Sequence, residues 1–196
     1  MTSLRLGFEP PSETRLKAYA VKINLASRPF NHGFMPGGSK PEPIKALRLV
    51  EKTAVIGHGK NTYARAQTLL LDWKMHGSSR TTGIWTDGDA LVTYAQLAPG
   101  LWVLNPCRCL PSPVVTKDDR RSCHVSYATT RGHLIAGCEQ MSVRYCDDTT
   151  CLFEISSGSR GSGWLGRAVF PFIARSQRHF FDEQVSAMAQ QCRGAK

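Results

Sequence analysis

The sequence has no apolar run long enough to cross a bilayer. Its longest, residues 101–104 and 168–174, are short, and the second contains Pro171. Membrane insertion is therefore not expected. The first thirty residues lack the charged start, apolar core and small-residue cleavage site of a secretory signal. No Asn-x-Ser/Thr acceptor occurs anywhere. The expectation is a cytoplasmic protein. Organelle targeting stays open, because Arg5, Arg15, Lys17, Lys22 and Arg28 face only Glu9 and Glu13 in that stretch.

Motifs for metal and nucleotide chemistry are also missing. There is no His-Glu-x-x-His, no dinucleotide fingerprint and no Gly-x-Ser-x-Gly elbow. The Gly57-His58-Gly59-Lys60 turn is not a phosphate loop, because Ala54 stands where the first Gly belongs and Asn61 where Ser or Thr belongs. Cys107-x-Cys109 lacks zinc spacing and a second pair. Neither a metal nor a cofactor is expected. The seven cysteines are odd in number without a signal peptide, which reads as free, mostly buried thiols.

Acidic residues are scarce: 15 against 25 basic ones, for a net charge of +10. The basic residues are scattered rather than clustered, and none alternates with exposed aromatics as in an RNA-reading strand. A solvated basic face is the expectation, and a nucleic-acid partner is not.

The chain of 196 residues, 41% of them apolar, fits one globular domain. Residues 1–50 read as an irregular lead-in, broken by Pro10-Pro11, Pro29, Pro36 and Pro41-Glu42-Pro43. Residues 51–192 read as a single α+β ligand-binding domain. A strand over 53–56 leads into a helix over 62–75, capped by Asn61 and stopped at Gly77. Strands follow over 83–86, 90–97, 101–104, 107–110, 122–129, 139–145 and 150–156, separated by turns such as Asp87-Gly88 and Pro99-Gly100. The chain changes character at 157–163, of which residues 159–163 read as a flexible connector. A long helix over 164–191, kinked at Pro171, carries Leu165, Val169, Phe172, Phe180 and Met188 near one stripe. Short turns imply an antiparallel sheet, and one long helix implies a cover on one face. The predicted fold is a curved antiparallel sheet gripping a C-terminal helix, the helix-grip arrangement, with a cavity between them. An ordinary filled core fits the pattern almost as well.

Alternation places Glu139 on the face of Met141 and Val143, at the end of an inward stripe. Cys123, Val125, Tyr127 and Thr129 share a face of the preceding strand, and His133 sits in the connecting turn. A buried carboxylate is costly unless it is paired or used. Two readings follow. Glu139 pairs with Arg108 or Arg175 and is structural, or Tyr127, His133 and Glu139 line the polar end of a pocket and handle protons. Arg108, Trp73 and Phe172 are the candidates for ligand contact. The expected ligand is a small hydrophobic metabolite. The expected function is a cofactor-independent acid/base enzyme, an isomerase or cyclase, with a non-catalytic binding or carrier protein as the alternative.

Five ordered blocks carry a family resemblance. They are Gly57-x-Gly59-x-x-x-Tyr63-x-x-Ala66-x-x-x-Leu70-x-x-Trp73, Pro106-Cys107-Arg108, Tyr127 through Glu139, Phe153-Glu154-Ile155 with Ser159-Arg160, and Pro171…Gln177-x-x-Phe180. Together they resemble the uncharacterised plant and bacterial family known as domain of unknown function 1990, or uncharacterised protein family 0548. The resemblance runs from residue 53 to about 190 and implies a shape rather than an activity. The chain departs from the family pattern at Ala128-Thr129, at Cys138 in place of the first of two carboxylates, at Gly158 in place of an aromatic, and at Gly161-Ser162. These departures imply a pocket reshaped for its own ligand.

Overall fold

A computed structural model of the chain describes residues 5–32, 47–75, 82–110, 114–117 and 120–193. The elements are β1 (Arg5–Gly7), α1 (Glu13–Lys22), β2 (Arg48–His58), α2 (Gly59–Leu71), β3 (Thr82–Asp87), β4 (Ala90–Ala98), β5 (Leu101–Leu110), β6 (Val114–Lys117), β7 (Arg120–Thr129), β8 (Ile135–Tyr145), β9 (Thr150–Gly161) and α3 (Gly163–Arg193). Every strand pairing is antiparallel, in the order β2-β9-β8-β7-β5-β4-β3, with β1 added to β5 and β6 to β7. The fold is the helix-grip arrangement, a curved antiparallel sheet with the long α3 across it. Among the described residues no helix is long and apolar enough to cross a membrane.

The inner sheet face is filled at one end and open at the other, and side-chain size explains why. Phe153, Ile155, Met141, Val143, Val125 and Cys123 pack there against Tyr63, Ala66 and Leu70 of α2 and Phe181, Met188 and Cys192 of α3. One rung further along, the partners across the sheet are Tyr127, Glu139 and Ser157, and then come Thr129, Gly137 and Ser159. Ser157 and Ser159 follow Ile155, and Gly137 ends the line of Met141 and Glu139, so side-chain volume falls toward that end, α3 cannot close on the sheet there, and a cavity results.

Three sequence expectations need correcting. Residues 1–50 are not simply an irregular lead-in. The prolines at 10 and 11 stand just before a helix start, where Ser12 Oγ accepts the Arg15 N–H as an N-cap. Leu16, Tyr19 and Ala20 of α1 then cover Ala90, Val92 and Leu104 on the outer sheet face. Prolines 36, 41 and 43 and Gly77 lie outside the described residues. Residues 159–161 are not a connector but the end of β9, a strand that pairs with both β2 and β8. Beside it, β8 needs glycine at 137, where a Cβ would stand 2.2 Å from the Gly158 carbonyl oxygen. Finally, Asn61 is not the helix cap, since α2 begins at Gly59 with His58 in the capping position. Its Thr62 hydroxyl donates back to the His58 carbonyl at 2.7 Å.

Candidate functional site

The cavity lies between the open end of the inner face and the first half of α3. Its volume is about 140 Å³. Engineered cavities of roughly that size take one benzene ring. Its walls include Glu139, Tyr127, His133, Ser157, Ser159 and Asn105, with Ile173, Gln177 and Phe180 of α3 as a roof.

Glu139 is 5% exposed and points inward. Its Oε1 has no hydrogen-bond partner. Burial pushes its carboxyl up to about 8, even though hydrogen bonds from Tyr127 and Gln177 pull the other way. At neutral pH this group is mainly a neutral acid, able to donate. Tyr127 sits directly across from it in the β7–β8 register. Its phenol is pushed well up, first by burial and then by the Glu139 charge, so it too keeps its proton.

His133 is held by a tight turn. Its N–H donates to the Thr130 carbonyl at 3.1 Å, and Gly132 takes φ 99°, a conformation that glycine tolerates at no steric cost. The Ile135 N–H donates to His133 Nδ1 at 3.0 Å. That fixes Nδ1 as an acceptor, so in the neutral ring the proton resides on Nε2. Burial lowers the ring's pKa to about 3, so it is neutral over the physiological range. His133 lines the cavity as a neutral ring with a fixed tautomer, and its Nδ1 is not free to act as a base.

Gln177 completes the polar wall. Its Nε2 donates to Ser157 Oγ at 3.2 Å, and Ser159 Oγ donates to its Oε1 at 3.4 Å. Thr129 Oγ1 accepts the Gly137 N–H at 2.9 Å and donates to Asn31 Oδ1 at 2.7 Å. The N-terminal segment thus braces the pocket rim. Sequence reasoning missed Gln177, Ser157, Ser159 and Asn31 as site residues. Gln177 and Ser159 carried a signal, as parts of the blocks Pro171…Gln177-x-x-Phe180 and Phe153-Glu154-Ile155 with Ser159-Arg160, and there they served the family pattern alone.

The three ligand-contact candidates lie elsewhere. Arg108 pairs with Ala128 and Ala90 and so belongs to the outer face, where its guanidinium lies 5.2 Å from the Phe30 ring centroid. An ion pair with Glu139 is therefore impossible for Arg108, and Arg175 is exposed on α3. Phe172 is 76% exposed and does not line the cavity. Trp73 is half-buried behind the cavity, its ring centroid 6.0 Å from that of Tyr127. Its backbone takes φ 57°, strained for so bulky a residue, so this ring buttresses Tyr127 at a conformational cost.

Among the described residues, no three His, Cys, Asp or Glu side chains gather as a metal site. All seven cysteines are free thiols, and Cys138 beside the cavity is pushed up to about 11 by burial and then by the Glu139 charge.

Comparisons with known proteins place the chain. A UPF0548 protein of Arabidopsis thaliana is 25% identical over 133 residues, which is 64% of this chain and 64% of that protein's own length. Among solved structures, a hypothetical protein from Helicobacter pylori has a TM-score of 0.48 at 10% identity, covering 82% of this chain and all of that one. Norcoclaurine synthase from Thalictrum flavum has 0.45 at 12%, covering 76% and 96%. An aromatase/cyclase from Streptomyces sp. R1128 has 0.45 at 10%, covering 74% and 93%. Likeness at that level carries no argument about ligand or reaction. The family model described as domain of unknown function (DUF1990) matches residues 36–187, and the chain belongs to that family.

Proposed function

We propose that the chain is a cofactor-independent acid/base enzyme, an isomerase or small cyclase, acting on a compact, mainly apolar molecule that bears a carbonyl. Residues 51–192 would form the ligand-binding unit, with the N-terminal segment bracing it. The observation that carries this reading is Glu139: a buried carboxyl facing a cavity, with one oxygen unpartnered and its proton retained at neutral pH. A protonated carboxyl and a phenol opposite it favour an acceptor such as a carbonyl oxygen over an anion. The neutral His133 ring adds a third polar group without adding charge. Polarising a carbonyl in this way acidifies its α-hydrogens, and a proton donor with a pKa near the working pH suits reversible transfer.

The test is proton exchange. Small cyclic and aryl ketones in deuterated buffer would be followed by NMR with and without protein. Glu139→Gln is expected to lower the exchange rate by roughly 10²–10⁴ while the fold persists. The rate should also fall as the pH rises through about 8, where Glu139 loses its proton. Equal rates in both proteins would remove Glu139 from the chemistry.

One observation favours the second reading, a small-molecule binder or carrier. With Glu139 protonated and His133 Nδ1 engaged, neither group offers a free base at neutral pH. Under that reading a ketone leaves the protein unchanged, and its affinity rather than its exchange rate falls above pH 8.

A further inference from the structure

The first half of α3 presents an apolar face outward as well as inward. Trp164 is 81% exposed, Phe172 is 76% exposed, and Ala168 is exposed between them. The spacing i, i+4, i+8 puts all three on one stripe of the helix. On the opposite side, Gly166, Ala174 and Phe181 are buried against the sheet. The half of the helix that carries this stripe, and the strand end before it, have one sign of charge. No Asp or Glu occurs from residue 155 to 181, and Arg160, Arg167, Arg175 and Arg178 are all exposed.

We infer that this face docks the protein on an anionic lipid surface, with Trp164 and Phe172 entering the headgroup layer and the arginines meeting lipid phosphates. A convex single helix offers no groove to seat a partner chain, whereas a fluid interface conforms to it. Exposed aromatics rimmed by arginines are the pattern of a helix lying in the membrane plane, not across it. The geometry also ties docking to the cavity: Ile173, Gln177 and Phe180 roof the cavity from the same helix whose other side meets the lipid. This inference stands independently of the acid/base reading.

The experiment is co-sedimentation of the full chain with vesicles of phosphatidylcholine alone, or with about a third phosphatidylserine. Binding is expected to the anionic vesicles and to disappear near 1 M salt, where charges are screened within about 3 Å. Trp164→Ala with Phe172→Ala should weaken binding roughly tenfold or more, since both anchors are exposed in the free protein and their loss leaves the core intact. Arg167→Glu should weaken it about fivefold or more. Circular dichroism of the variants confirms that they fold. Binding to neither vesicle, or equal binding by the double variant, would overturn the inference. A dimer abolished by the same substitutions would assign the face to a second copy instead, and salt-sensitive retention on RNA without vesicle binding would assign it to nucleic acid.

Discussion

Glu139→Gln is expected to make the protein more stable at pH 8, by about 4 kcal/mol, and to change little near pH 5. The argument is one of linkage. The Glu139 carboxyl stands at about 8 in the folded protein against an ordinary 4.5. Between those values the folded state holds a proton that the unfolded chain releases. Stability therefore declines with rising pH, since the unfolded state binds fewer protons. The contribution is full below about pH 4.5, wanes above it and is gone once the pH passes about 8. Each pH step between them costs about 1.4 kcal/mol, so the loss at pH 8 is about 4 kcal/mol. Glutamine has no proton to lose, and its carbonyl can still accept from Tyr127 and Gln177. His133 sets the opposite limb. With its pKa lowered from 6.5 to about 3, its contribution is full above pH 6.5 and is lost as the pH falls through about 3. Urea unfolding of both proteins from pH 5 to 8.5 checks this. Between pH 5 and 6.5 the His133 limb should raise the variant's curve and leave the parent's roughly level, and above pH 6.5 the parent's should slope downward while the variant's is flat. Parallel curves would mean that Glu139 does not hold its proton.

Gly166→Ala is expected to destabilise the protein by roughly 3 kcal/mol and to open the cavity. A Cβ at this position would stand 2.1 Å from the Leu134 carbonyl oxygen. That oxygen already accepts the Ser162 N–H at 2.8 Å, fixing the chain where it passes from β9 into α3. Gly161 faces the same junction, with its own added Cβ only 2.6 Å from the Arg167 backbone. Backbone meets backbone here, so no side chain can swing aside, and α3 must lift. Overpacking of this kind costs typically 1–3 kcal/mol and sometimes more. Lifting the first turns of α3 also moves Ile173 and Gln177, the cavity roof, and displaces the turn that holds His133. Thermal unfolding measures the first effect, and loss of ketone affinity the second. A variant as stable as the parent would mean that α3 is seated more loosely than this packing allows.

The sheet and its inner face were legible because strands with one buried face alternate strictly. Glu139, Met141 and Val143 fall on the same side by a two-residue period that no tertiary contact can alter. The same period sets Glu154, between Phe153 and Ile155, on the outside, where it pairs with Arg144 at 2.9 Å. The long helix was legible in extent but not in orientation. From 164 to 174 its sequence is apolar on nearly every side, so the period could not choose a face. A stripe through Leu165 and Phe172 was indistinguishable from the true one through Gly166, Ala174 and Phe181. Arg108 failed for a related reason. It is one residue from Cys107, and adjacent strand residues face opposite ways. Gln177 was silent because a glutamine on a helix ordinarily faces water. Its role depends on Ser157 and Ser159, which stand where the sequence pattern marks the end of the strands and a connector.

The most direct measurement of the central claim is the titration of the Glu139 carboxyl itself, by carbon-13 NMR of glutamate-labelled protein, with Glu139→Gln to assign the resonance. The account predicts a carboxyl signal that is still protonated at pH 6.5 and titrates near pH 8, and that the variant lacks. A Glu139 signal already ionised at pH 5.5 would contradict it.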